Sequence, residues 1–474
     1  MQKHIQILAD IVAQEAAAQR PVSRPLAPAE ITEALDLSLR EEGVDLQQIA
    51  KTLAAYTSMN PDVSQVGFHK QLYSGRNAEA LLGEWVASLS NAVMHTYKVG
   101  PVAAMMELEI IDRLNGLIGF DKGDGIMVSG ASQANLIAMM LARHAMCPDL
   151  KSNGYAGRTL TAFVSDQAHY SMLRAANVAG IGEDNLIKVK SDAQGRMDPS
   201  DLRTKIMAAE VRGHIPFFVG LTAGTTVLGA FDPVKPCLQI ARDHGMWLHI
   251  DGAWGGPILF SEEHRHVLDG CAEADSFTWD AHKFMNVPLT AGIILVREAG
   301  QMTDAISGGG GEYLFHEGDA RQTNFGQMSI QSARRADCLK VWTAWKGAGS
   351  KGYADKMNHL REMTDGFCRM VDASPQAQII GPAPFLNILF QIQPSGVGSD
   401  RYDDLNIAIC NKLASDGNAF VDYASWGGRT GIRLVLANQD VTKDYLDRFL
   451  ELCLSTGNDL ARQFDQDSKH RPVG

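Results

Sequence analysis

The sequence predicts an α/β protein: a mainly parallel sheet with helices on both faces, a smaller α/β unit after it and a helical arm before it. Three observations carry this expectation. Strand-like apolar runs alternate with helical stretches between Leu160 and Val296, the order that gives parallel strands joined by crossover helices. At 474 residues the chain is long enough for two cores, since domains typically run ~100–200 residues. Its 45% hydrophobic and 21% charged residues are ordinary for a soluble globular protein.

In the N-terminal stretch MQKHIQILADIVAQEAAAQR, Ile5, Leu8, Ile11, Val12 and Ala16 recur at helical spacing, which predicts an amphipathic helix. RPVSRPLAPAEI follows, with Pro21, Pro25 and Pro28, and reads as an extended linker. A helix on such an arm packs either on a partner subunit or on its own domain, and the pattern alone allows both. The expected strands are Leu160–Val164, Leu186–Val189, Pro216–Leu221, Trp247–Ile250, Ser276–Trp279 and Gly292–Val296. Gly347, Gly349 and Gly352 form a GxGxxG in WKGAGSKGYADK. It follows a helical pattern rather than a strand, so it reads as a helix end and domain hinge, not a dinucleotide loop. Beyond it come a helix to about Val371, strands near Ile388–Ile392 and Ile432–Leu436, and a helix from about Thr442. The expected division is an arm and linker over 1–60, a large domain over 61–346 and a small domain over 347–474.

A formal net charge of -12 argues against nucleic-acid and anionic-membrane partners, which favour a basic face. The seven cysteines are scattered and form no CxxC pair. They read as reduced thiols of a cytoplasmic protein, with neither a disulfide framework nor a zinc site, and no metal is expected. No apolar run is long enough for a membrane span, and Asp10 and Glu15 interrupt the region where a secretory signal would be apolar.

Chemistry concentrates where strands end. Asp251 closes the run Trp247–Ile250, and Lys283 lies just past Phe277 and Trp279. Ionisable groups there point into the crevice at the carboxyl edge of a parallel sheet. A Lys that forms an imine and an Asp that pairs with a pyridine nitrogen are the minimum for a pyridoxal phosphate (PLP) site. The bland alternatives are a helix-capping Asp and a surface Lys, the latter at odds with the apolar run before Lys283. Small-residue Ala253 is sized to underlie a ring. In MVSGASQANLIAMMLAR a strand runs into Ser129-Gly130-Ala131-Ser132 and a helix begins. This is either a phosphate-binding helix start or a plain capped one. His169, in FVSDQAHYSMLRAA, opens a helix at the same edge and is either a ring-stacking group or surface decoration. Thr222, Thr225 and Thr226 follow another strand and serve either the site or the turn around Gly224 and Gly229. Tyr313 follows the run Gly308–Gly311, which suits a lid hinge and equally a surface loop. Arg433 lies in an alternating strand and need not share the face of Ile432.

These residues sit in segments that together resemble the group II PLP-dependent amino-acid decarboxylases, in the branch that includes glutamate and cysteine sulfinate decarboxylases. The resemblance runs from about Gln65 to Asn438 and is densest in TAGTTVLGAFDP, WLHIDGAWGG, HRHVLDG and ADSFTWDAHK. QLYSG, TYKVGPV and EYLF also match. The resemblance implies the PLP-dependent transferase-like fold (fold type I) with a mainly parallel seven-stranded sheet, and a homodimer with active sites at the subunit interface. It implies Lys283 as the residue linked to PLP, Asp251 on the pyridinium, and His169 stacked on the ring opposite Ala253. It places Ala131, Ser132, Asn135 and His282 around the phosphate, and Thr222 near Asp251. Gln71 and Arg433 match ligands of the substrate carboxylate, and Tyr313 matches the proton donor of a mobile loop. Tyr73 adds bulk where glutamate decarboxylases have a small residue, which favours a shorter acid.

The chain departs from the family at three points. Asp280 and Ala281 precede His282-Lys283 where Asn-Pro is usual, which puts a carboxylate near the phosphate. His69 and Lys70 replace a common Phe-Asn, and Val93 and Met94 occupy a segment that is more polar in relatives. The expected activity is α-decarboxylation of an acidic L-amino acid (aspartate, cysteine sulfinate or glutamate). The alternatives are a decarboxylase of diamino or aromatic amino acids, or an aldehyde synthase, lyase or aminotransferase on the same fold.

Overall fold

The structure is a computed structural model that describes residues 1–308 and 324–469. The chain forms two compact units. The larger comprises Arg76–Gly366 and Gly381–Ile388; the smaller comprises Met1–Gly75, Phe367–Ile380 and the chain from Leu389 onward. The N-terminal 75 residues therefore belong with the C-terminal region, a grouping that differs from the three consecutive segments expected.

The larger unit is built on seven strands: β1 (Asp124–Val128), β2 (Leu160–Ser165), β3 (Leu186–Val189), β4 (Ile215–Thr222), β5 (Trp247–Asp251), β6 (Ser276–Asp280) and β7 (Gly292–Val296). Their order is β1-β7-β6-β5-β4-β2-β3. The run from β6 through β5, β4 and β2 to β3 is parallel, and β7 is antiparallel to both β6 and β1. The helix Ala131–Met146 packs across β1, β4, β5, β6 and β7. Because a strand alternates its faces, β5 and β6 each carry two distinct ones. Leu248, Ile250, Phe277 and Trp279 make one face, where the Trp279 ring meets Phe260 edge-on at 5.7 Å. Trp247, His249, Asp251, Ser276, Thr278 and Asp280 make the other, and every one of them is buried. A sheet covered on both faces ordinarily has apolar strands. The polar face of β5 and β6 is the local exception, and it underlies the site.

The expected helix end in Trp345–Lys356 falls at Gly349, where two helices of the stretch Cys338–Ala373 meet and the backbone leaves helical geometry at φ 65° and ψ 168°. That conformation favours glycine. The boundary between the two units lies further on, after Gly366, rather than at the glycine triplet.

In the smaller unit the N-terminal helix spans Gln2–Ala17. The stretch expected to be extended turns helical at Pro28–Ala34. Pro28 sits at the first helical turn, where its missing N–H costs nothing, and Glu30 accepts the Ala27 N–H at 2.7 Å. The chain ahead of that helix is tied by Val22, whose N–H donates to Gly417 O at 2.9 Å. A second sheet holds β8 (Ala377–Ile379), β9 (Asn387–Ile392), β10 (Asp422–Trp426) and β11 (Arg429–Val435) in the order β10-β11-β9-β8.

Candidate active site

Asp251 is the last residue of β5 and is 5% exposed. Its neighbour in register on β4 is Thr222, and on β6 Thr278. Asp251 Oδ1 accepts the Ala253 N–H at 3.2 Å, and Oδ2 accepts Asn135 Nδ2 at 2.8 Å. Asn135 lies one turn into the helix Ala131–Met146. Expected beside the phosphate, it has its amide committed to Asp251 and to Ser171 Oγ at 3.0 Å. It shares the face of Ala131 but lies one turn, about 6 Å, further along the axis, over the sheet rather than at the helix start.

Thr222 closes β4, fixed by its N–H donating to Asp232 Oδ2 at 2.7 Å, while its own buried hydroxyl has no hydrogen-bond partner among the described residues. Thr225 serves the turn: its hydroxyl oxygen accepts the Ala230 N–H at 3.0 Å. Of the two readings of these threonines, turn chemistry describes Thr225 and an available hydroxyl describes Thr222.

His169 stands between β2 and the helix Ser171–Val178, with its ring 4.2 Å from that of Tyr170. Its Nδ1 accepts the Ser171 N–H at 3.2 Å, so the neutral ring carries its proton on Nε2. Burial pushes its pKa below the ordinary value, while the charges of Asp251 and Asp280 act the other way. Those groups and Lys283 thus converge on one imidazole.

Lys283 Nζ is 3.3 Å from Asp280 Oδ2, and that side chain is itself 3.7 Å from His282 Nε2. Asp280 is 2% exposed, and its second oxygen, Oδ1, has no hydrogen-bond partner among the described residues. The turn after Lys283 is held by buried Lys356, which donates to Phe284 O at 2.6 Å and to Asn286 Oδ1. His282 Nδ1 accepts the Ala291 N–H at 3.1 Å, and burial pushes its pKa down, so the ring stays neutral with Nε2 as donor.

The helix start opposite His282 is open. Gly130 has φ 146°, and a Cβ there would meet only His282 Cε1, at 4.0 Å. At Gly292 a Cβ would fall 2.5 Å from Gly130 Cα, so glycine at both positions lets the turn lie on β7. The N–H groups of Ala131 and Ser132 make no hydrogen bond among the described residues. Two unpaired N–H groups and a neutral His donor form an anion cradle. With the orphaned Thr222 hydroxyl and the Asp251 carboxylate, these residues fit PLP.

The residues expected to bind substrate lie in the smaller unit. Arg433 is 9% exposed on β11, an interior strand rather than an edge, and its Nη2 donates to Lys70 O at 2.6 Å. Gln71 follows on that segment and is exposed; Tyr73 is half-buried with its ring 5.8 Å from Phe68. His69 is a core group, with Nδ1 donating to Val435 O at 3.0 Å and Nε2 accepting from Tyr445 OH at 2.7 Å. In the larger unit, Met94 is buried with its N–H on Arg334 O at 2.9 Å. Tyr313 lies outside the described residues.

The sequence pattern did not single out His249 and Thr278, which contact Asn135 on the polar face, or Ser276 and Trp247, which follow behind His249. A signal was present: Trp247, His249 and Asp251 recur at period two, and so do Ser276, Thr278 and Asp280.

Residues 28–393 match the family described as the pyridoxal-dependent decarboxylase conserved domain. The chain is 32% identical over 445 residues to cysteine sulfinic acid decarboxylase of Mus musculus, covering 91% of this chain and 90% of that one. It is 33% identical over 448 residues to glutamate decarboxylase of Drosophila melanogaster, covering 91% and 88%. The crystal structure of mouse CSAD superposes with a TM-score of 0.91 at 30% identity, covering 96% of this chain and 98% of that chain.

Proposed function

The chain belongs to the pyridoxal-dependent decarboxylase family, and from that premise we propose that it removes the α-carboxylate of an acidic L-amino acid, releasing the amine and CO2. Aspartate, cysteine sulfinate and glutamate are the candidates. The observation that carries this choice is the buried Arg433 guanidinium next to the Gln71 segment, a cation suited to a substrate carboxylate. The relatives at 30–33% identity named for cysteine sulfinic acid, acidic amino acids and glutamate support the same class. Tyr73 takes up room beside Gln71, which favours the shorter acids.

Bound PLP supplies an electron sink for the pair left by departing CO2. Lys283 would hold the cofactor covalently, Asp251 would pair with its ring nitrogen, and His169 and small Ala253 would flank its ring. The N–H groups of Ala131 and Ser132, with His282 Nε2, would take the phosphate, and the Thr222 hydroxyl beside Asp251 would be available to it. Gln71 and Arg433 orient the substrate, and Tyr313 returns a proton to Cα, as the family resemblance implies.

The enzyme is read as a cytoplasmic homodimer. All seven cysteines are free, which suits a reducing compartment. Leu82, Val86 and Leu89 on the helix Ala78–Ser90, and Ile5, Leu8 and Val12 on Gln2–Ala17, are exposed apolar residues that a second copy of this chain would cover.

The deciding experiment incubates the purified protein with PLP and a panel of acidic, basic, aromatic and aliphatic amino acids, measuring amine and CO2. Amine from an acidic substrate, lost in Arg433→Ala, is expected. Turnover confined to diamino or aromatic substrates, or carbonyl product without amine, would overturn the proposal.

A further inference from the structure

We propose that Asn135 and His249 are positioning residues that join Trp247 and Ser276 in a one-directional chain of hydrogen bonds ending on Asp251. The chain crosses the polar face of β5 and β6, and four links define it. Trp247 Nε1 is 2.8 Å from Ser276 Oγ, which is 2.8 Å from His249 Nδ1. His249 Nε2 is 3.0 Å from Asn135 Oδ1, and Asn135 Nδ2 is 2.8 Å from Asp251 Oδ2.

The direction follows from the two ends. An indole N–H only donates and an ionised carboxylate only accepts. The Asn135 amide must therefore turn its NH2 to Asp251, since the flipped amide would set oxygen against oxygen. That leaves Asn135 Oδ1 to accept, so His249 Nε2 bears the proton and Nδ1 accepts from the Ser276 hydroxyl. Ser276 in turn takes the Trp247 N–H. Thr278 Oγ1, 3.0 Å from Asn135 Oδ1, fills its second lone pair, and Ser171 takes the second amide hydrogen. Every donor and acceptor of the Asn135 side chain is then used. Burial pushes the His249 pKa down to about 4, so the ring is neutral at working pH and keeps this single tautomer.

Thr278 Oγ1 also lies 3.3 Å from His249 Nε2, so the same N–H meets acceptors only on this side and the imidazole and amide keep one orientation. The chain fixes Asp251 in place, so that the carboxylate meets the ring nitrogen without first reorienting. The inference rests on the reading of Asp251 as the ring-nitrogen partner. It adds that the fixing comes from the far end of β5 and β6.

The test loads wild type, Asn135→Asp, His249→Gln, Ser276→Ala and Thr278→Val with PLP labelled with 15N in the ring. Two quantities are read: the ring 15N shift across neutral pH and the PLP dissociation constant. Wild type should show the protonated-ring shift. Asn135→Asp, which sets an acceptor against Asp251, should move it furthest toward the unprotonated value and weaken PLP binding about 10- to 100-fold, the range that supporting residues show at metal sites. His249→Gln should follow, then Ser276→Ala. Thr278→Val, which leaves the chain intact, should change least. This grading by place in the chain is not what a general loss of packing produces. Wild-type shift and affinity in Asn135→Asp and His249→Gln would overturn the proposal. If those variants do not fold, an unchanged shift in Ser276→Ala overturns it instead. Wild type that binds no PLP would refute the cofactor reading itself, and the role of the chain with it.

Discussion

Asp251 and Asp280 end neighbouring parallel strands on the same face, and both are nearly inaccessible to water. Their surroundings differ. Asp251 receives the Ala253 N–H on one oxygen and the Asn135 amide on the other. Asp280 has Lys283 at 3.3 Å on Oδ2 and, among the described residues, no hydrogen-bond partner on Oδ1. A buried carboxylate needs compensation. For Asp251 it comes from neutral donors built into the sheet and the helix behind it, which do not change when ligand arrives. For Asp280 it comes from the ammonium of Lys283, the one group in the site that must change partner to hold the cofactor. One aspartate is set in advance, and the other is matched to the lysine.

The largest effect should come from removing the charge that is set in advance. Asp251→Asn keeps the shape but leaves a ring-nitrogen partner that cannot carry a charge, and breaking a buried pair costs ~3–5 kcal/mol. Decarboxylation should fall about 10²- to 10⁴-fold, with PLP still linked to Lys283 by its visible absorption. Activity within threefold of wild type would remove Asp251 from the pairing role.

Asp280 predicts a smaller change of opposite sign. Its carboxylate lies beside His282, which lines the anion cradle at Gly130. Asp280→Asn removes a negative charge near the phosphate and frees Lys283 from its ion pair, so PLP should bind about tenfold more tightly. Pyridoxal, which lacks the phosphate, should gain less. Weaker PLP binding in the variant would mean that the carboxylate supports the cradle rather than opposes it.

This contrast was only partly legible in the sequence. The strands β5 and β6 were, because an apolar run that stops at Asp or Lys marks a strand end at the edge where ligands bind. The family resemblance rested on the same segments. The resemblance places Asn135 around the phosphate, whereas its amide donates to Asp251 and Ser171. His249 was overlooked because, among Leu248 and Ile250, it reads as a tolerated core residue; only the register that sets it against Ser276 shows its partner. The helix at Pro28 was hidden by prolines that elsewhere mark extended chain. The helix end at Gly349 was legible because glycine takes a positive φ at no steric cost; the unit boundary after Gly366 carries no such mark. Asp280 was visible as a departure, but its pairing with Lys283 needed coordinates.

The smallest expected effect separates the donor chain from general stability. Burial pushes both His249 and His69 down to about 4 from 6.5. An unfolded chain takes up those protons near pH 6.5, while the folded protein refuses them until about pH 4. Folded-state stability is therefore lost as pH falls through that window, at roughly 3 kcal/mol per histidine at its lower end. Asp232 works the other way: burial pushes its carboxyl up to about 7, so between 7 and 3.8 the folded form holds a proton that the unfolded chain has released. Among these three groups acid removes two contributions and adds one, and the two histidine losses together exceed the Asp232 gain. His69→Gln and His249→Gln should each flatten the fall in thermal midpoint between pH 7 and 5. Only His249→Gln should also loosen PLP, because His69 bonds Val435 and Tyr445 in the other unit. If both variants lose PLP equally, His249 is a packing residue like His69, and Asp251 is no better prepared than Asp280.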